Sequence, residues 1–453
     1  MALSIIILAA GEGSRMRSHL PKVLHRLAGI PLLGHVMRTS RRLAAAHIVV
    51  VYGHGGEHVR EAFPEEAVTW VEQAERLGTG HAVEQALPHV SPDDTVLVLY
   101  GDVPLIAEST LRQLITKVDD HSLALLTARL DDPSGYGRIV RDDQGSVIRI
   151  VEDKDATEAE RAIAEINTGI LAIKAELLAS CLATVTNDNA QGEYYLTDII
   201  AKAVEKGVSV LTASPGNLDE IMGVNNRAQL AELERSFQLA QARELLTSGV
   251  TLRDPARFDL RGSLTAGRDV EIDVNVIFEG EVTLGDRVRI GANTIICNTR
   301  IGDDVVIQPH CIIDGAEIGH GCQLGPFARI RPGTVCHERA RIGNFVEVKK
   351  SIIGQGSKIN HLSYVGDSSV GRNVNIGAGT ITCNYDGANK HHTEIGDDVF
   401  IGSDSQLIAP VKVGDGATIG AGSTITRDVP AQELTLSRAS QQTIRGWKRP
   451  AKE

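Results

Sequence analysis

Six large aliphatic residues fall six apart between Ile395 and Ile425: Ile395, Ile401, Leu407, Val413, Ile419 and Ile425. A glycine follows Ile395, Ile401, Val413 and Ile419 directly. Neither the 3.6-residue period of a helix nor the two-residue period of a strand explains this spacing, whereas a chain winding round a triangular prism with six residues per side does. Each aliphatic side chain then points into the prism. The glycine behind it suits a corner, where a sharp turn calls for positive φ.

The period runs backwards through Val270, Val276, Val282, Val288, Ile301, Ile307, Ile318, Leu324, Ile330, Ile342, Val348, Ile353, Ile359, Val365, Val370, Ile376 and Thr382, with few slips. Its largest break, CNYDGANKHHTE from Cys383 to Glu394, is polar and reads as a loop expelled from the prism. A coil buries its apolar side only by stacking on the next, so the array is expected to form one rod from about Leu264 to Val429.

The remaining length of the 453-residue chain leaves room for one or two further domains. No apolar run reaches membrane-spanning length, and the opening MALSIIILAAGEGSRM has no basic leader and runs straight into a glycine loop, so it is read as a core strand. The six cysteines form no CxxC pair and have no zinc-ligand spacing, which fits reduced thiols in the cytoplasm. A net charge of −12 argues against a nucleic-acid surface. Any phosphate ligand must be held by locally placed cations and backbone amides.

Strand-like runs at Ser4 to Ala9, His47 to Tyr52, Thr95 to Tyr100 and Leu123 to Ala128, with helix-like segments between the first three, predict an α/β domain with a mostly parallel sheet. Ligands of such sheets sit beyond the carboxyl ends of the strands. There stands Leu8-Ala9-Ala10-Gly11-Glu12-Gly13-Ser14-Arg15-Met16, followed by Pro21-Lys22. It is neither a full Rossmann fingerprint nor a P-loop, and Gly-x-Gly alone is equally an ordinary turn. Arg15, Lys22 and free amides at a strand-to-helix turn suit a triphosphate. Asp102, in Tyr100-Gly101-Asp102, suits Mg²⁺, which needs few protein oxygens when phosphates supply the others. Gln73 and Gly78-Thr79-Gly80 lie between these stretches, placed to read a base or ribose.

The stretch LAAGEGSRM with Pro21-Lys22 resembles the signature of the sugar-1-phosphate nucleotidyltransferases, with Ser14 where threonine is common. With Gln73, Gly78-Thr79, Tyr100-Gly101-Asp102, Gly137, Glu152, Asn167 and Asn225 it resembles the N-acetylglucosamine-1-phosphate uridyltransferase branch. The resemblance implies a Rossmann-like uridyltransferase domain over residues 1–226. In it Leu8, Ala9, Ala10 and Gly11 line the nucleotide, Gln73, Gly78 and Thr79 hold uracil, and Gly137, Glu152 and Asn167 hold the sugar. Asp102 and Asn225 then bind Mg²⁺, and Arg15 and Lys22 serve catalysis by neutralising phosphate charge.

Asn226 is an N-cap for a helix with apolar residues at Leu230, Leu233, Phe237, Ala240 and Leu245, ending at Ser248-Gly249. Residues 227–248 are read as a connector of roughly 30 Å. In the rod, the informative residues are those the repeat does not need: Arg329, Arg331, Lys349, Lys350, His361, Tyr364 and Asn375. Each alone is an ordinary surface residue, but in consecutive coils they form a patch able to bind a sugar phosphate and supply a base.

NFVEVKK, NHLSYVGD and NVNIGAGTITCNYDGANK, with the hexapeptide array, resemble the acetyltransferase half of the bifunctional uridyltransferase/glucosamine-1-phosphate acetyltransferase family. The resemblance covers nearly the whole chain. It implies an all-β left-handed parallel β-helix over residues 249–453 and a homotrimer with acetyl sites between neighbouring rods. The small-molecule substrates are acetyl-CoA, glucosamine-1-phosphate, N-acetylglucosamine-1-phosphate and UTP, with neither nucleic acid nor membrane as a partner. His361 becomes the general base, Arg331, Lys349, Tyr364 and Asn375 bind the sugar phosphate, and Ala378, Asn384, Tyr385, Ser403, Ala421 and Arg438 line the acetyl-CoA groove. Ala439-Ser440 depart from the Val-Pro expected after Arg438. Three rival readings are a uridyltransferase with a scaffold rod, a purely structural rod, and a β-helix zinc enzyme drawing on His310, His320, His337, His391 and His392.

Overall fold

Ile5, Ile6 and Ile7 are all buried, so the strand that carries them must be covered on both faces and hydrogen-bonded on both edges. In the computed structural model, which describes residues 2–11, 13–53, 56–450 and 452, Leu3–Ala9 lies at the centre of a sheet, parallel to His47–Gly53 on one side and Thr95–Tyr100 on the other. The sheet runs Ser209–Ala213, Ser122–Arg129, Glu165–Lys174, Thr95–Tyr100, Leu3–Ala9, His47–Gly53, Thr69–Gln73. It is mixed, because Glu165–Lys174 is antiparallel to both neighbours. Ile5 and Ile7 join the core on one face of the sheet, and Ile6 and Leu8 the core on the other. The parallel strands end level with one another, which brings Ala9, Gln73 and Tyr100 to one rim.

This sheet belongs to the first of two compact units, Met1–Phe237; the second is Gln238–Glu453. The second unit is a parallel β-helix. Two nine-residue strands, Phe258–Ala266 and Val276–Leu284, begin it, and strands of two to four residues continue it. Every coil hydrogen-bonds to the next in register, as in Ile330↔Val348 and Val348↔Val365. The hexad aliphatics Ile330, Ile342, Val348, Ile359, Val365, Ile401 and Ile419 fill the interior.

The turns correct the expectation for glycine. Positive φ falls on the third residue after the inward aliphatic, at Asp398, Asp404, Gly416 and Gly422, and not on the glycine directly behind it. That glycine is required by proximity. A Cβ on Gly402 would stand 2.8 Å from Ala421 Cα, and one on Gly414 2.6 Å from the Ala431 nitrogen, because the next coil's backbone passes there. Where an Asp follows such a glycine, its carboxylate accepts a backbone N–H from the preceding coil: Asp397 from Arg372 (2.7 Å) and Asp415 from Asp397 (2.9 Å).

The rod is also longer than the period predicts. Thr251–Leu252 already pairs with Glu271–Ile272, and Leu434–Thr435 closes the far end. The opening coil buries Val250, Leu252, Phe258 and Leu260, which do not keep the hexad spacing. The Cys383 to Glu394 segment leaves the prism as a turn in which the Asp386 carboxylate accepts the Ala388 and Asn389 N–H groups and His391 Nε2–H.

The helix spans Arg227–Thr247, with the Asn226 side chain accepting the Gln229 N–H at 2.9 Å. It is more than a solvated connector. Leu233 packs with Met16, Leu27, Leu32 and Val224 in the first unit. In the second, the buried Gln238 carboxamide both donates to and accepts from the Leu260 backbone, at 2.9 and 2.7 Å. No helix among the described residues is long and apolar enough to cross a membrane.

Ile330 is fully buried in the prism, whereas Ile352 points outward at 46% exposure. Ile330→Ala is expected to destabilise the second unit by about 2–5 kcal/mol through lost burial and a cavity. Ile352→Ala is expected to cost about 0.5 kcal/mol. Scanning calorimetry separates the two; equal losses would mean that the hexad residues are not the core.

Candidate active sites

A cleft of about 330 Å³ opens at the rim of the first sheet, lined by Leu8, Ala9, Ala10, Gly11, Lys22, Gln73, Arg76, Gly78, Thr79, Tyr100, Asp102 and Glu193 among others. Ten of the residues singled out in the sequence therefore meet in one hollow. Glu12 lies outside the described residues. Gly101 sits beneath the rim, where a Cβ would stand 3.3 Å from Ala9, Leu33 and Val23.

One end of the cleft is held by a crossing of two loops. Gly78 has φ of 110°, and a Cβ there would stand 2.6 Å from the Tyr194 carbonyl oxygen, so only glycine fits. Tyr194 N–H donates to Leu77 O (2.7 Å), Gly80 N–H to Tyr194 O (2.8 Å) and Leu196 N–H to Thr79 Oγ1 (3.1 Å). Thr79 thus builds the wall as well as lining it.

At the other end four charged and polar groups converge. The Lys22 ammonium donates to the Asp102 carboxylate and, at 3.2 Å, to Asn225 Oδ1. Arg15 Nη2 donates to the same Asn225 oxygen at 3.0 Å. A carboxylate and a carboxamide oxygen so placed already hold a cation, the ammonium, and hard oxygen donors of this kind fit a small divalent ion.

Gly137, Glu152 and Asn167 form a third group. Asn167 N–H donates to Gly137 O at 2.8 Å, and the Glu152 carboxylate accepts the Thr197 hydroxyl at 2.8 Å. Burial pushes the Glu152 carboxyl above the usual range, opposed by the Thr197 bond and aided by Asp198, Asp155 and Asp153. Burial also raises the Tyr100 phenol, with Glu152 and then Asp102 adding to it, which keeps this hydroxyl protonated between the two acids.

In the second unit the predicted residues divide between two sheets of the rod. On one, Arg331 Nη1 donates to Glu347 at 2.7 Å, Glu347 is in register with Tyr364, and Asn384 Nδ2 donates to Asp367 (2.5 Å) and Tyr364 Oη (3.5 Å). Lys349 lies in the same strand as Glu347. Tyr385 bridges to Lys390 in the expelled loop and donates through its hydroxyl to Gly387 O.

His361 ends a strand of the other sheet, in register with Asn344. Its Nδ1–H donates to Asn344 Oδ1 at 2.8 Å, which leaves the Nε2 lone pair to accept a proton. Above it runs a column of one residue per coil. Gly379 N–H donates to Leu362 O, Asp404 N–H to Ala378 O, Gly422 N–H to Ser403 O, and Arg438 Nη1 to Ala421 O at 2.6 Å. Asn375 lies in this sheet too, in register with Lys358 rather than with His361. Among the described residues, no hydrogen bond joins His361 to Arg331, Lys349 or Tyr364 across the Leu362 corner.

Four residues that have no role in the sequence motifs are brought in by the structure. Arg76 and Glu193 line the cleft. Lys390 sits beside Lys349, whose ammonium pulls the Lys390 pKa below the usual lysine value, and Asn344 orients His361. A cation two residues before Gly78, in a chain of net charge −12, was the available signal for Arg76; the others depend on packing. The rod histidines have separate surroundings: His310 stacks on Phe327, His320 faces Asp304, His391 bonds Asp386 and His392 faces Ser369. No group of three or more His, Cys, Asp or Glu side chains among the described residues could hold a metal ion.

Residues 5–191 match the family described as the MobA-like NTP transferase domain. Residues 281–309 match the hexapeptide repeat of succinyl-transferase, and residues 298–332 and 392–427 the bacterial transferase hexapeptide. Over 452 residues the chain is 59% identical to the bifunctional protein GlmU of Nitrosospira multiformis, covering 100% of this chain and 98% of that one. It is 59% identical over 453 residues to the same-named protein of Methylococcus capsulatus, with 100% and 98% covered. The Azoarcus protein of that name is 58% identical over 451 residues, with both chains fully covered.

Because folding raises the Glu152 pKa, its contribution to stability is present below the ordinary carboxylate range and is lost as pH rises through the folded value. Glu152→Gln carries no charge to bury. The melting midpoint of the variant is expected to gain on the parent between pH 4.5 and pH 7.5; a constant difference would contradict the shift.

Proposed function

The chain belongs to the bifunctional GlmU family, and from that membership we infer a two-activity enzyme that makes UDP-N-acetylglucosamine. One activity moves an acetyl group from acetyl-CoA to the amine of glucosamine-1-phosphate. The other moves the uridylyl group of UTP to N-acetylglucosamine-1-phosphate and releases pyrophosphate. The observation that carries the reading is that one chain has two separate polar sites, a cleft with converging cations and a rod with a poised histidine.

In the cleft, a phosphate oxygen of the sugar attacks the α-phosphorus of UTP in line with the departing pyrophosphate. The nucleophile is already an anion, so the residues need to position it and offset charge more than to remove a proton. Gln73, Gly78 and Thr79 hold the base, and Gly137, Glu152 and Asn167 hold the sugar. Arg15 and Lys22 meet the phosphates. Asp102 and Asn225 are the residues to hold a divalent cation, Mg²⁺ in this reading, which when bound neutralises phosphate charge.

On the rod, the amine nitrogen attacks the thioester carbonyl, its proton passes to His361 Nε2, the C–S bond breaks and CoA departs. Asn344 keeps Nδ1 protonated and so keeps Nε2 available. The column Ala378, Ser403, Ala421 and Arg438 rises roughly 14 Å over three coils, a track for the extended arm of acetyl-CoA that ends at His361. Asn375 belongs to the same sheet, while Arg331, Lys349 and Tyr364 offer the sugar-phosphate side on the other, and Asn384 and Tyr385 of that other sheet's side contribute to the acetyl-CoA groove.

Because these two sets sit on different sheets of one rod, a complete acetyl site pairs one sheet with the other sheet of a neighbour. A closed ring of three copies makes that pairing three times. UTP and acetyl-CoA as substrates, with six free thiols, fit a cytoplasmic enzyme.

The first test is one reaction with the purified chain, Mg²⁺, glucosamine-1-phosphate, acetyl-CoA and UTP, in which free thiol and pyrophosphate are followed together. Both are expected, with pyrophosphate dependent on acetyl-CoA. His361→Ala is expected to lower acetyl transfer by about 10²–10⁴ and leave uridylyl transfer intact. Absence of thiol release from the parent would reduce the rod to a scaffold.

Subunit pairing has its own test. His361→Ala and Lys349→Ala, each inactive in acetyl transfer, are refolded together. A random one-to-one mixture of the two chains is expected to regain roughly a quarter of the parent activity, since one interface in four then joins an intact base to an intact lysine. No recovery would mean that each rod holds a whole site.

A further inference from the structure

Beside the cleft, His81 meets the side chain of Gln73. Gln73 is 4% exposed, and its carboxamide nitrogen has two partners: the Gly78 carbonyl oxygen at 3.0 Å and His81 Nδ1 at 3.2 Å. A primary amide has two N–H hydrogens, and both are used here. What the amide has left for a ligand is its oxygen, an acceptor. Gly78 O is a carbonyl and can only accept, so the end of Gln73 that faces it must be the NH₂ group. His81 Nδ1 therefore accepts the second hydrogen, and the ring proton sits on Nε2. The Gln85 carboxamide lies 3.2 Å from Nε2, and a half-turn of that amide brings its oxygen there to accept the ring N–H.

We propose that His81 is a positioning residue for base selection: it holds the Gln73 amide with its oxygen toward the base, and so favours uracil over cytosine. The proposal rests on the reading of Gln73 as the residue that meets the base. Uracil carries a hydrogen on N3 and cytosine a lone pair. An amide oxygen at that position accepts from uracil N3–H and repels the cytosine lone pair. The reversed amide presents N–H and inverts the preference. Turning it over sets the buried Gln73 oxygen against two acceptors, Gly78 O and His81 Nδ1, and a buried polar atom left unpaired is costly. The Gly78 carbonyl belongs to the backbone, so His81 is the side-chain half of the lock.

The test measures kcat/KM for UTP and for CTP, with N-acetylglucosamine-1-phosphate and Mg²⁺, in the parent and in His81→Phe, His81→Asn and Gln73→Ala. Phe fills the space but accepts no hydrogen bond. Asn places its carboxamide oxygen where Nδ1 was. His81→Phe is expected to lower the UTP-to-CTP ratio about tenfold, mostly through KM for UTP with kcat little changed, and His81→Asn to restore most of it. Gln73→Ala is expected to flatten the ratio further. If Gln73→Ala flattens the ratio while His81→Phe leaves it at the parent value, Gln73 reads the base without His81 and the proposal falls. Equal losses in Phe and Asn would also overturn it, since they mark a packing defect. If Gln73→Ala keeps the parent ratio, Gln73 does not read the base, and that underlying reading fails with it.

Discussion

A coil of the rod has no interior of its own. Its inward Ile or Val meets only the aliphatics of the coils before and after it, and its outward-running amides donate to the next turn, as Arg329 N–H does to Val346 O and Glu347 N–H to Ser363 O. Because hydrogen bonding and burial both depend on neighbours, register is set for the whole array once it is set for one pair. That fixes where every outward side chain stands. His361 comes to lie one coil above Asn344 and one below the Ala378 turn.

The first unit reaches the same end by another route. Parallel strands buried on both faces cannot slip without exposing their apolar runs, so their carboxyl ends finish together. Residues from loops far apart in the chain, such as Lys22, Gln73 and Asp102, then surround one hollow. Convergence is completed from farther still: Asn225 shares its side-chain oxygen between Arg15 and Lys22, more than two hundred residues earlier. The ammonium, two acceptors and a guanidinium are thus held together at one end of the cleft by their own hydrogen bonds.

What could be read in the sequence followed from periodicity and from loop chemistry. Six-residue spacing gave the prism and two-faced apolar runs gave the sheet, and the Gly-x-Gly turn with Lys22 marked the cleft. What could not be read depended on contacts between coils or loops. The hexad glycines looked like turn formers, yet the turns fall at Asp398 and Asp404, and the glycines make way for backbone one coil further on. The first coil escaped notice because Val250, Leu252, Phe258 and Leu260 do not keep the repeat. Asn344 and Lys390 stand inside the motifs NFVEVKK and NVNIGAGTITCNYDGANK, but their roles could not be read there, since their partners His361 and Lys349 lie in other turns of the rod.

One corner of the rod changes character along its length. Its positive-φ positions are occupied by His310, Phe327, Phe345 and Leu362 in four successive coils and by Gly379, Asp404 and Gly422 in the next three. A bulky residue in the left-handed region is conformationally expensive, where glycine or aspartate is not. The rings stack with centroids 4.7 and 5.2 Å apart, and that contact offsets part of the cost. The change from large to small falls directly after Leu362, the neighbour of His361. Below the histidine the corner is a wall of rings. Above it the corner carries no large side chain, and the column from Ala378 to Arg438 stands beside it. In the proposed acetyl transfer, a long ligand laid along that track would have its far end near Arg438 and its near end stopped at the histidine, so that the corner residue would set where its reacting end lies.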